Sequence, residues 1–215
     1  MNAAGKTANV RIHTADNASL GTWFVLADGF YQKLPFPPNT TDSASHIPAA
    51  VKAHPTILFL HGNAASRAAP ARVMVYSALS SRVGANVVAI DYRGFGDSTG
   101  GPPSEEGLGR DARAAWEWLR NMGAKGENIL VVGHSLGTAI ATRLVAELAR
   151  EDVACRGVVL LAPFSSMRQL LETYTIFGLF PIKGPIRMIP GASSKRVVHV
   201  DVVALIVCRG YGLGT

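Results

Sequence analysis

The sequence predicts an α/β fold, a mostly parallel sheet with helices on both faces, and three observations carry that prediction. Short apolar runs recur as strand candidates from residue 56 onward, and segments with helical periodicity separate them. The pentapeptide Gly133-His134-Ser135-Leu136-Gly137 joins one such run, Ile129-Leu130-Val131-Val132, directly to an apolar helical segment. Near-continuous apolar strands alternating with helices mark a parallel sheet covered on both sides.

Taken in order, residues 10–13 and 20–26 alternate or run apolar around the turn residues Asp16-Asn17, as an antiparallel strand pair would. Residues 34–55 hold Pro35, Pro37, Pro38, Pro48 and Pro55, and read as a long polar loop. Thr56-Ile57-Leu58-Phe59-Leu60 is the first buried strand, and residues 70–83 follow as a helix. Asn86-Val87-Val88-Ala89-Ile90 is the next strand. A glycine-rich loop then leads to a helix over 104–121, opened by Ser104-Glu105-Glu106 as cap and dipole-favoured acids. Strand 129–132, the helix after Ser135 and strand 158–161 complete the series.

Composition sets outer bounds. The chain has 215 residues, 48% hydrophobic and 17% charged, enough to bury a large core in one domain. A net charge of +6 raises nucleic acid or an anionic surface as partners. The basic residues are scattered, however, with Lys195-Arg196 the only adjacent pair, so no nucleic-acid stripe is expected. Cys155 and Cys208 lie in apolar stretches and read as buried thiols, which argues against a disulfide framework or a metal site. The amino terminus has no signal-peptide core, and no apolar run has the length of a membrane span.

The chemistry concentrates at Ser135. A strand, a sharp glycine-flanked turn and a helix form the context in which G-x-S-x-G is a nucleophile elbow. Small residues at 133 and 137 let the backbone turn tightly, so the Ser135 hydroxyl stands clear. His61-Gly62-Asn63 follows strand 56–60, and loops at the carboxyl ends of parallel strands line one crevice. The backbone N–H groups of Leu136 and Asn63 are therefore the candidate oxyanion donors. Asp91-Tyr92-Arg93-Gly94-Phe95-Gly96-Asp97-Ser98 lacks any nucleotide-binding signature and reads as a tight turn holding the sheet edge beside the site. His134 points away from the place of a general base, and His13, His46 and His54 read as surface residues.

These segments, with Leu161-Ala162-Pro163-Phe164-Ser165-Ser166, resemble the α/β-hydrolase superfamily over about residues 8–190. Within it they are most similar to eukaryotic α/β-hydrolase-domain serine lipases acting on monoacylglycerols and lysophospholipids. The resemblance implies an α/β-hydrolase domain with its core over 8–164, a small cap over 165–196 and an atypical tail over 197–215. It implies that Tyr174-Thr175-Ile176-Phe177-Gly178-Leu179-Phe180-Pro181-Ile182 covers an acyl chain, against the alternative of an ordinary core helix.

The pattern breaks after the cap. Triad order in this fold is serine, acid, histidine. One candidate for the next parallel strand remains, over 197–207, with no acid or histidine after it. His199 and Asp201 are the only acid–histidine pair downstream, within that strand and in reversed order. The end of the chain reads as shortened or mistranslated, with the last strand and helix missing and an apolar sheet edge left open.

The expected function is that of an esterase or lipase cleaving carboxylic esters through an acyl-serine, with no cofactor. Its expected partners are a small-molecule ester or lipid and a peripheral membrane contact through the cap, and its expected place is the cytoplasm or an intracellular membrane surface. The alternatives are a catalytically incomplete ligand-binding protein of the same fold, and a peptidase, for whose usual gating domain there is no room.

Overall fold

The computed structural model describes residues 3–35, 43–163, 175–176, 180–181 and 203–206. An antiparallel hairpin, β1 (Thr7–His13) and β2 (Ser19–Val25), opens the sheet. The parallel series follows as β3 (Thr56–Leu60), β4 (Asn86–Ile90), β5 (Ile129–His134) and β6 (Gly157–Leu161). Helices α3 (Pro70–Ser81), α4 (Glu105–Asn121) and α5 (Leu136–Arg150) connect these strands. Two-residue strands β7 (Thr175–Ile176) and β8 (Phe180–Pro181) pair antiparallel, so this part of the expected cap is not one helix. Strand β9 (Val203–Ile206) joins the main sheet, whose order is β1-β2-β4-β3-β5-β6-β9.

The period-two alternation of strand side chains explains why helices cover both faces. Leu58, Leu60, Val88, Ile90 and Val131 point to one side, into a core shared with Trp116 and Leu119 of α4 and Leu144 and Leu148 of α5. Ile57, Phe59, Val87, Ala89 and Val132 point to the other, where Tyr76 of α3 meets Phe59 edge-on. Local signals start the helices as expected. The Ser104 hydroxyl accepts the Gly107 N–H at 3.1 Å, Glu105 and Glu106 occupy the first turn of α4, and Pro70 opens α3.

Three expectations need correction. The stretch 34–55 is not simply a loop. A 3₁₀ turn at Ser43–His46 leads into α2 (Ile47–Ala53), which buries Ile47, Ala50 and Val51. A short helix, α1 (Asp28–Tyr31), precedes it. The turn after β4 does not hold a sheet edge, because β4 is internal, flanked by β2 and β3. The strand found within 197–207 does not extend the parallel series. β9 runs antiparallel to β6, with Val203 opposite Leu161, and stands last in the sheet order among the described residues. Most of the expected cap and tail lies outside the described residues. Among the described residues no helix is long and apolar enough to cross a membrane.

Candidate active site

At the carboxyl end of β5 the chain passes straight into α5 through Ser135, whose backbone adopts φ 49° and ψ −117°. Residues with a Cβ rarely occupy positive φ, and such strain persists only where the surroundings enforce it. The surroundings here are explicit. A Cβ on Gly137 would overlap the Leu60 carbonyl oxygen and lie 2.6 Å from its carbon. A Cβ on Gly133 would overlap the Gly137 oxygen and lie 2.8 Å from the Thr138 Cα. Both glycines are therefore required by close backbone approach. The Ser135 N–H donates to Leu161 O at 2.9 Å. The Thr138 N–H and hydroxyl both donate to Ser135 O, at 2.8 and 2.7 Å.

The loop after β3 meets this elbow. A Cβ on Gly62 would come within 3.1 Å of Ser135 Cβ and 2.9 Å of His134 Nδ1. The structure thus brings Ser135, Leu136 and the segment that carries Asn63 together at one end of the sheet. Leu136 is the first residue of α5, and first-turn amides have no acceptor within their own helix. Asn63 is exposed at the loop tip. His199 and Asp201 lie outside the described residues.

Below the loop, His61 is fully buried. Its Nδ1–H donates to Gly62 O at 2.8 Å, and its Nε2 lies 3.1 Å from Asp91 Oδ1. The Tyr92 hydroxyl donates to His61 O at 2.9 Å, and the Tyr92 and Phe95 rings pack against the imidazole. With both ring nitrogens engaged, His61 holds the loop and has no nitrogen left for Ser135. Asp91 also accepts from the Arg67 N–H at 2.5 Å and from Arg67 Nη1 at 2.6 Å.

His134 faces solvent. Partial desolvation, then the nearby Arg72 charge, hold its imidazole below the ordinary value. His13 is exposed at the end of β1 on the far edge of the sheet. His46 and His54 are half-buried rather than superficial; His54 Nδ1 lies 3.2 Å from Gly84 O and its ring meets Phe30. Cys155 is buried, as expected. Among the described residues no cluster of three or more His, Cys, Asp or Glu could hold a metal ion.

Sequence reasoning missed Arg72. From α3 its Nη1 donates to Ser66 O at 2.8 Å, and its Nη2 faces the carbonyls of Gly62, Asn63 and Ala64 at 2.9, 3.2 and 2.8 Å. An arginine in the first turn of a helix has no pattern that announces such a role.

Residues 55–176 match the family model described as alpha/beta hydrolase fold. Over 212 residues the chain is 34% identical to lysophosphatidylserine lipase ABHD12 of Rattus norvegicus, covering 94% of this chain and 51% of that protein. Its counterpart in Danio rerio is 33% identical over 218 residues, 94% of this chain and 53% of that protein. The chain thus spans about half the length of the curated relatives it matches. The crystal structure of an alpha-beta hydrolase from Vibrio vulnificus superposes with a TM-score of 0.62, over 86% of this chain and 61% of that one. At 24% identity that likeness is one of fold.

Proposed function

Because the chain belongs to the alpha/beta hydrolase fold family, we propose that it is a serine ester hydrolase in which Ser135 attacks the carbonyl carbon of a carboxylic ester. The observation that carries this reading is the strained Ser135 backbone, enforced by the close approach of Gly133 and Gly137 to neighbouring backbone. In the first step the Ser135 Oγ–C bond forms, the alcohol leaves, and an acyl-serine remains for water to cleave. The N–H groups of Leu136 and Asn63 stabilise the tetrahedral oxyanion, each worth about 100- to 1000-fold in rate in comparable sites. His199 and Asp201 are the acid–histidine pair carried in this reading to assist Ser135. The relatives named lysophosphatidylserine lipase support a lysophospholipid-like ester as the substrate class.

The test is labelling by a fluorophosphonate probe, with folding of each variant checked by circular dichroism. The chain is expected to label, Ser135→Ala to remain folded and unlabelled, and His199→Ala to label much more slowly. A folded wild-type chain that fails to label overturns catalysis. A second reading, a ligand-binding protein without turnover, draws support from the described histidines. His61 is engaged at both nitrogens, and His13 stands on the far edge strand. Saturable binding of an acyl ligand with no labelling is the outcome that selects it.

A further inference from the structure

We infer that Arg72 is the positioning residue of the Ser135 site: its guanidinium gathers the carbonyls of the 62–66 loop and thereby sets its amides for the oxyanion. The inference rests on the acyl-transfer reading of Ser135. Among the described residues Arg72 pairs with no carboxylate, unlike Arg67 and Arg93, and its acceptors are all backbone carbonyls of this one loop. A guanidinium presents its donors in a rigid planar fork, which suits several acceptors fixed around one point.

The consequence follows from peptide geometry. In a trans peptide the C=O and the next N–H point to opposite sides. Drawing Gly62 O and Asn63 O toward α3 therefore turns the N–H groups of Asn63 and Ala64 away from it. Gly62 O receives two donors, Arg72 Nη2 and His61 Nδ1–H, so the Gly62–Asn63 peptide is held on both lone pairs. The loop needs such holding, because Ala64 and Ala65 sit consecutively at φ 60° and 53°, where residues with a Cβ are rare. Arg72 also lies near the elbow, where its charge adds to partial desolvation in holding the His134 imidazole below its ordinary value.

The experiment compares the wild-type chain with Arg72→Ala and Arg72→Lys, using two readouts. The first is the maximal rate of fluorophosphonate labelling, separated from the half-saturating probe concentration. The second is backbone hydrogen exchange in the 62–66 loop, with α3 and β3 as internal references. For Arg72→Ala the maximal rate is expected to fall about 100-fold at unchanged half-saturation, the loss typical of slight misplacement. Exchange should quicken in the loop alone, and added methylguanidinium should restore part of the rate. Arg72→Lys keeps the charge without the fork and should resemble Arg72→Ala.

Labelling of Arg72→Ala at the wild-type rate overturns the inference. So does a slowed variant whose exchange rises equally in α3 and β3, since Arg72 would then only support the fold. A folded wild-type chain that does not label overturns the acyl-transfer reading itself. Unchanged loop exchange in Arg72→Ala separately overturns the holding role.

Discussion

At Ser135 the backbone is bent into a conformation its own side chain disfavours, and glycine is the reason the bend can form. Gly137 lies so close to β3 that any side chain would meet the Leu60 carbonyl, which is fixed in the sheet and cannot swing aside. Gly137→Ala is therefore expected to destabilise the chain by about 1–3 kcal/mol, as overpacking of a rigid contact does. Urea unfolding followed by circular dichroism measures it; a midpoint equal to the wild type would show that the elbow can open without cost. This steric demand is local, so the pentapeptide and its flanking strand and helix were readable from the sequence. The loop carrying Asn63 was placed correctly for a similar reason, since it ends the neighbouring parallel strand. What anchors that loop was not readable. Arg72 lies ten residues beyond Gly62, on a helix, and its acceptors are carbonyls that carry no side-chain signature.

Helix α2 shows how an element escapes a reading of pattern alone. Its stretch is rich in proline, yet Pro48 sits in the first turn, where a missing N–H breaks no helical bond. Pro55 follows the helix rather than interrupting it. The two prolines flanking Ala50 and Val51, with Ile47 just before the first, were the available sign. What fixes α2 against the sheet is Asn86, the first residue of β4, whose side chain is fully buried. Its Nδ2 donates to Ala50 O at 2.9 Å, His54 O at 3.3 Å and Thr56 Oγ1 at 3.3 Å, and its Oδ1 accepts the Ala27 N–H at 3.1 Å. Asn86→Ala would strand the buried Ala27 N–H and leave Ala50 O with only its helical donor, the His54 N–H, at a cost of roughly 3 kcal/mol. Chemical denaturation should give that loss, and limited proteolysis should find its first new cut near residues 43–55. Cleavage elsewhere first would place the anchor of α2 in its apolar contacts instead. An asparagine opening an apolar strand reads in sequence as an ordinary strand end, so the link between Asn86 and α2 becomes visible only in three dimensions.

Across the whole molecule, two arginine–carboxylate clusters tie the antiparallel hairpin to the parallel core. Arg93 joins Asp111 of α4 to Asp16 in the β1–β2 turn. Arg67, beyond β3, reaches Asp91 and Asp97 after β4, while Arg11 of β1 pairs with the same Asp97. Gly21 of β2 leaves the space this second cluster occupies, since a Cβ there would lie 2.9 Å from Asp97 Cγ. Periodicity places such residues on loops and faces, but partners so distant in sequence are matched only by the folded sheet. Asp97 supplies a test with a definite sign. Its hydrogen bond from Arg67, outweighing desolvation, holds its carboxyl below the ordinary carboxylate value. A carboxyl lowered in the folded state adds stability that is fully present above its unfolded value, about 3.9, and is lost as pH falls through the folded value. Because Asp97 is substantially exposed, its contribution near neutral pH is only about 1 kcal/mol. Asp97→Asn should therefore unfold at lower urea than the wild type near neutral pH. The gap should narrow steadily from about pH 4 downward, as the wild-type carboxylate takes up its proton. A gap that stays constant across that range would mean that Asp97 joins hairpin and core by its shape and hydrogen bonding, with its charge contributing nothing.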